Sequence, residues 1–251
     1  MYRSFECCFQ KVYDEKRTDS WKQGSLLKKL QSFNPSAKEG SILIMTAVEA
    51  EREAVLRGLS GNPRFVVELA GVGAASAAAL TAGQLAAGGY RAVISAGIGG
   101  GFARIAPMES VVVATSIIAA DLGAETAEGF SSVDELGFGS SRLPVDADTA
   151  AHWTQLLAAG GLQACAGPVL TVSTVTGTAA TAAALTERVP GAAAEAMEGY
   201  GVGIAARAVG VPVFEIRAIS NLVGPRNRAA WRIKEALQSL ETAFHILTEV
   251  L

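Results

Sequence analysis

Four short segments carry the side chains whose type and spacing point to chemistry in a chain of 251 residues that is only 18% charged. The first covers residues 46–53 (TAVEAERE), where Glu49, Glu51 and Glu53 follow an apolar run and open a helical pattern. Acidic residues in a first helical turn favour the helix dipole. A carboxylate at the C-terminal edge of a sheet is also where open α/β sheets bind ligands. Glu51 is the candidate if its side chain turns back over the strand ends.

The second segment is glycine: Gly71 and Gly73, then Gly97, Gly99, Gly100 and Gly101 after another apolar run. Residues 71–76 (GVGAAS) lack the third glycine of a dinucleotide fingerprint, and no acidic residue lies between Leu69 and Arg91. Residues 97–101 serve either as a tight strand-to-loop turn or as backbone cleared for the close approach of a ligand. The third segment is 195–201 (EAMEGYG). A carboxylate beside Met197 and small residues needs a buried partner or a polar ligand, and paired ribose hydroxyls suit a carboxylate acceptor. The fourth is 215–221 (EIRAISN), a buried-strand pattern whose Ser220 and Asn221 form a cap or turn, or face a ligand at the strand's end. His152 and His245 fall on helical patterns without metal-ligand spacing. Arg226 and Arg228 beside Trp231 make either a helix start or an anion clamp.

These segments need a scaffold, and the pattern from residue 41 supplies one. Strands are expected over 42–47, 64–70, 91–96, 110–116, 168–173 and 211–219. Helices are expected over 49–59, 74–88, 147–159, 178–187, 199–209 and 228–249. Continuous apolar strands alternating with helices predict an α/β fold with a largely parallel sheet covered on both faces. Residues 121–146 lack periodicity and are expected to be a long irregular loop, of the kind that forms lids or binding loops.

Composition narrows the function classes. Half the residues are hydrophobic, which excludes disorder, and a net charge of −3 lacks the footprint of a nucleic-acid binder. Residues 1–40 hold 8 Lys/Arg and 5 Asp/Glu, whereas 41–251 hold 13 and 19. The expected organisation is a polar N-terminal extension over 1–40 and one domain over 41–251. The opening residues lack the apolar run of a secretory signal. Residues 69–90 and 149–186 carry no charge but are filled with Ala, Gly, Ser and Thr, too weakly apolar for a bilayer. Cys7, Cys8 and Cys165 show no CxxC spacing and read as free thiols in a reducing cytoplasm.

Taken together and in order, the four segments resemble the nucleoside phosphorylase and nucleosidase superfamily across 41–251. Ala47-Val48-Glu49-Ala50-Glu51, Gly97 to Gly100, Met197-Glu198 and Ser220-Asn221 are similar to the motifs of its methylthioadenosine/S-adenosylhomocysteine nucleosidase branch, with Asn221 where that branch carries Asp. That departure, with residues 121–126 (DLGAET), 137–139 (GFG), 171–177 (TVSTVTG) and 220–226 (SNLVGPR), most resembles the futalosine hydrolase branch.

The resemblance implies a three-layer αβα sandwich around a twisted, mostly parallel mixed sheet, a homo-oligomer (commonly a dimer), and neither metal nor organic cofactor. The implied reaction is hydrolysis of a purine N-glycosidic bond through an oxocarbenium-like ribosyl cation. In it Glu51 activates water, and Glu198 holds the 2′- and 3′-hydroxyls above Met197. Asn221, next to Ser220, binds the purine edge; Gly97, Gly99 and Val175 line sugar and base. Arg226 or Arg228 is the candidate for a distal carboxylate, with Arg104 and Arg142 behind them. The alternatives are a methylthioadenosine-type nucleosidase, a phosphorylase, a dinucleotide oxidoreductase, or a nucleoside-binding sensor on the same fold. A phosphorylase needs a phosphate site after the first strand, where Glu51 would repel a second anion.

Overall fold

A computed structural model describes residues 40–251. The extension expected over 1–40, apart from Gly40, lies outside the described residues, as do Cys7 and Cys8. The chain runs β1 (Ser41–Thr46), α1 (Glu49–Leu59), β2 (Phe65–Leu69), α2 (Ala74–Ala87), β3 (Tyr90–Gly101), β4 (Val111–Ala119), β5 (Gly123–Thr126), β6 (Gly129–Ser132) and β7 (Arg142–Pro144). It continues through α3 (Ala147–Ala159), β8 (Ala164–Thr171), α4 (Ala179–Arg188), β9 (Ala194–Ala196), α5 (Gly199–Ala208), β10 (Val213–Leu222) and α6 (Ile233–Leu247).

The layers follow from alternation within buried strands. In β1 every residue is buried, and neighbouring side chains point to opposite faces. Ile42 and Ile44 join the core under α1, α3 and α6, with Val55, Trp153 and Phe244. Leu43 and Met45 join a second core under α2 and α5, with Ala77, Leu85 and Val202. Each such aliphatic side chain contributes about 1.5–3 kcal/mol through burial. The expected α/β fold with a mixed sheet is the one observed.

The main sheet has eight strands in the order β10-β4-β8-β9-β3-β1-β2, with β7 on the edge of β4. β10 also pairs with β3, so β3, β10, β4, β8 and β9 close into a ring from which β1 and β2 extend. The pairs β1–β2, β1–β3, β3–β10, β4–β8 and β8–β9 are parallel. The pairs β10–β4, β3–β9 and β4–β7 are antiparallel. Because β1, β3 and β10 are parallel, Thr46, the glycine run and Asn221 all arrive at one edge of the sheet.

The structure corrects the sequence reading in several places. Residues 121–146 are not irregular throughout: β5 and β6 form a two-stranded hairpin and β7 joins the main sheet. These strands are three or four residues long, and β7 buries only Leu143, so periodicity had no length in which to show. β9 was missed for the same reason. The glycine run is no turn: β3 continues to Gly101 because β10 on one side and β9 on the other pair with its backbone. The helix expected over 228–249 begins only at Ile233. A 3₁₀ turn over Arg228–Ala230 precedes it, and Trp231 adopts extended backbone between the two.

Candidate active site

Of the three carboxylates after β1, only Glu51 turns inward. Glu49 is exposed and pairs with Arg52 at 2.9 Å, and Glu53 is exposed as well. Glu51, at the third helical position of α1, is 4% exposed. Its Oε2 accepts from the backbone N–H of Ala47 (2.9 Å) and Val48 (3.2 Å), which is half of a capping box. Its Oε1 accepts from the N–H of Ile98 at 2.8 Å. Burial pushes the Glu51 carboxyl above the usual glutamate range, and nearby Glu198 adds to the rise; Arg217 and the backbone donors pull the other way. A carboxyl whose pKa is raised in this way is a better proton acceptor than an ordinary glutamate.

The floor beside Glu51 is backbone. A Cβ at Gly97 would stand 2.5 Å from Glu51 Oε1 and 2.8 Å from Arg217 Nη1, and at Gly99 it would stand 2.8 Å from the carbonyl oxygen of Glu195. The glycines of β3 therefore let the Glu51 carboxylate, the Arg217 guanidinium and the Glu195 backbone carbonyl converge on one strand. In register, Gly97 faces Arg217 and Gly100 faces both Asn221 and Glu195.

Glu198 precedes α5 and is 6% exposed. Its Oε2 pairs with Arg217 Nη1 at 3.4 Å and accepts from the Met197 N–H at 3.3 Å, and its Oε1 accepts from the Gly73 N–H at 3.2 Å. Gly73, part of the segment that lacks a dinucleotide fingerprint, thus helps to hold this carboxylate, and Gly71 lies two residues before it. Both adopt the left-handed backbone region that favours glycine, with φ of 69° and 90°. Met197 is half-buried beside it.

At the far end, Ser220 Oγ donates to Asn221 Oδ1 at 2.9 Å and lies 3.3 Å from the Gly99 carbonyl oxygen. Asn221 Nδ2 donates to the Leu222 carbonyl at 3.2 Å. Val175 sits on a loop held from below: the Ser173 N–H donates to Asp121 at 2.6 Å, and the Thr176 N–H donates to Glu195 at 2.8 Å. The Thr176 hydroxyl donates to the same buried Glu195 carboxylate. Burial raises the Glu195 carboxyl, against the lowering effect of these Thr176 bonds. The Arg226 N–H donates to the Gly177 carbonyl at 3.3 Å, which ties the two loops together. The Arg226 and Arg228 guanidinium groups lie 5.5 and 5.7 Å from the Trp231 ring centre, exposed at the rim.

Arg217 is the residue that sequence reasoning missed. It is 1% exposed and lies among Glu198, Glu215 and Glu51. Burial works against its charge, but the carboxylates outweigh that and hold the guanidinium firmly protonated. The available signal was a cation two residues from Glu215 in a buried-strand pattern, since an unpaired buried charge is too costly to keep. His152 and His245 are exposed on α3 and α6. Among the described residues no cluster of three His, Cys, Asp or Glu side chains is placed to hold a metal ion.

The Phosphorylase superfamily matches residues 32–251. The chain is 52% identical over 231 residues to the futalosine hydrolase of Streptomyces coelicolor, with 84% of this chain and 96% of that protein covered. The chain belongs to the futalosine hydrolase family. It is also 33% identical to the Thermus thermophilus futalosine hydrolase, covering 74% of this chain and 82% of the relative. The fold of this family member is shared with solved structures of low identity. Native futalosine hydrolase of Helicobacter pylori superposes with a TM-score of 0.73 at 15% identity, covering 84% of this chain and 98% of that one. The methylthioadenosine/S-adenosylhomocysteine nucleosidase of the same organism, solved with butyl-thio-DADMe-Immucillin-A, gives 0.74 at 15% identity, covering 85% and 99%.

Proposed function

We propose that this protein cleaves the N-glycosidic bond of futalosine with water, releasing hypoxanthine and dehypoxanthine futalosine, in the alternative menaquinone pathway. One observation carries the reading: two buried carboxylates, Glu51 and Glu198, flank the glycine floor of β3, with Arg217 beside them. The 52% identity to a futalosine hydrolase supports the choice of substrate.

In this reading the ribose lies over Gly97 and Gly99, with Met197 beneath it and its 2′- and 3′-hydroxyls donating to Glu198. As the bond to the purine lengthens, positive charge grows at C1′ and negative charge on the base. Asn221 donates to the departing base beside Ser220, while Val175 covers its face. Glu51 accepts a proton from the water that attacks C1′, and Arg226 meets the substrate's distal carboxylate at the rim. The catalytic unit is residues 41–251.

The protein acts as a homo-oligomer in the cytoplasm. Support for assembly comes from α2, whose exposed face presents Ala75, Ala79 and Leu80 without a charged residue, next to exposed Val72.

The deciding experiment incubates pure protein with futalosine, methylthioadenosine or inosine, with and without phosphate, and measures free purine. Phosphate-independent release from futalosine, in preference to the other two, is the expected result. Release only with phosphate identifies a phosphorylase, preference for methylthioadenosine identifies the other nucleosidase, and no release from any substrate removes the enzymatic reading.

A further inference from the structure

Glu215 takes no part in the chemistry just described, yet its surroundings are shaped around it. It is fully buried on β10; Oε1 accepts from Arg217 Nε at 2.8 Å, while Oε2 has no hydrogen-bond partner among the described residues. Gly199, the residue after Glu198, makes room for this carboxylate: a Cβ there would stand 2.1 Å from Oε2 and 2.4 Å from the carboxyl carbon. A buried ion pair is often no more stabilising than apolar residues of the same volume. A carboxylate oxygen without a donor costs stability. Packing therefore gives no account of Glu215.

Arg217 gives one. Its three guanidinium nitrogens each meet a different partner: Nε meets Glu215 at 2.8 Å, Nη2 donates to Ser95 Oγ at 2.9 Å, and Nη1 reaches Glu198 at 3.4 Å. A guanidinium is planar and rigid. Fixing Nε and Nη2 at hydrogen-bond length therefore fixes where Nη1 points. It points at the one of its three partners that the proposed reaction uses. The other contacts of the Glu198 carboxylate are backbone N–H groups at 3.2 and 3.3 Å, so Arg217 is its charged anchor.

We propose that Glu215 is a positioning residue. By holding Nε of Arg217 it sets the direction of Nη1, and through Nη1 the place of the Glu198 carboxylate that selects substrates with ribose hydroxyls. This rests on Glu198 acting as the ribose clamp. Glu215 touches no substrate, and its effect is read in discrimination between substrates.

The test measures kcat/KM for futalosine and for its 2′-deoxy analogue in the wild type, Glu198→Gln, Glu215→Gln and Glu215→Asp, with a melting curve for each. Glu215→Gln keeps the side chain's size but removes its charge. Glu215→Asp keeps the charge but shortens the reach by one methylene. Both are expected to lower the ribo-to-deoxy ratio at least tenfold, in the direction of Glu198→Gln. A lower melting temperature alone does not produce that change, because a destabilised but folded enzyme loses both substrates equally. If Glu215→Gln yields no folded protein, Glu215→Asp supplies the same ratio. Wild-type discrimination in both Glu215 variants, with discrimination lost in Glu198→Gln, would overturn the proposal while leaving the ribose clamp intact. Unchanged discrimination in Glu198→Gln would remove the clamp and the proposal with it.

Discussion

Glu51 and Ile98 are 47 residues apart in the chain, yet the Glu51 carboxylate accepts the Ile98 backbone N–H at 2.8 Å. That bond ties the head of α1 to the glycine run of β3, so the orientation of the carboxyl is set by two elements rather than one. Side chains locked in this way hold reacting groups close to a productive geometry.

The first prediction concerns Glu51 as the base. General base catalysis is worth roughly 10²–10⁴-fold, so Glu51→Gln should lower kcat by about that factor. The working form is the ionised carboxylate. Burial raises its pKa, so activity is lost as pH falls through a value above the ordinary glutamate range. The kcat/KM profile of the wild type should show that acid limb, and the residual activity of Glu51→Gln should lack it. Near-wild-type turnover in the variant would move the role to another group.

Gly97→Ala tests the floor. The added Cβ would fall 2.5 Å from Glu51 Oε1 and 2.8 Å from Arg217 Nη1, closer than any real contact of that kind, so one or both must shift. A misplacement of about 1 Å can cost on the order of 10²-fold in rate. Turnover with futalosine should fall by that order. A variant with unchanged kcat would show that Glu51 and Arg217 tolerate displacement and that the site is not preorganised through them.

Much of this was legible in the sequence, and the reasons differ by element. Helices α1 and α3 and the long strands carry their period over enough residues to be read, and Glu51, Glu198 and Asn221 each sit at a boundary between elements. Arg217 and Glu215 were hidden for the opposite reason. They lie within a strand whose neighbours are apolar, and only the β3–β10 register shows that Arg217 faces a glycine. Gly73 meets Glu198 through its backbone N–H, a partner that cannot be read from residue type, and the Thr176 bonds to Glu195 span 19 residues with no motif to announce them. The closure of the sheet through β3 and β10 is equally silent, because each strand alone looks like any buried strand.

A third prediction addresses the rim. Arg226 and Arg228 both lie over the Trp231 ring, and Arg226 is joined through its N–H to the loop that carries Val175. The futalosine class carries a benzoate beyond C5′, and arginine pairs with carboxylates through two parallel hydrogen bonds. Replacing the responsible arginine by Met should raise KM for futalosine and leave cleavage of inosine, which has no such carboxylate, unchanged. Wild-type KM in both single variants would place the contact elsewhere, with Arg104 and Arg142 next to be replaced.

The last prediction follows from how Asn221 is held. Its Oδ1 accepts from the Ser220 hydroxyl at 2.9 Å, which fixes the amide plane and keeps the NH₂ as the donating side of the group. One of its hydrogens is directed to the Leu222 carbonyl at 3.2 Å, and the other is free to donate to the base. Hypoxanthine presents acceptors at N7 and O6, and a donor there stabilises the negative charge that builds on the departing ring. Adenine presents N7 as an acceptor but a donor amine at position 6, and its departure is helped by a proton delivered to N7. An Asn amide gives up no proton at neutral pH, whereas an Asp can carry one, and the Ser220 hydroxyl can still donate to its other oxygen. Asn also pairs with the N6/N7 edge of adenine, so the difference should lie in kcat more than in binding. Asn221→Asp is therefore expected to shift the kcat ratio toward a 6-aminopurine nucleoside, against a wild type that prefers the 6-oxo form. Measuring both substrates in both proteins between pH 5 and 8 decides it, with the gain on the amino substrate largest at low pH, where the Asp is protonated. An unchanged ratio would mean that base selection rests on the Val175 loop rather than on Asn221.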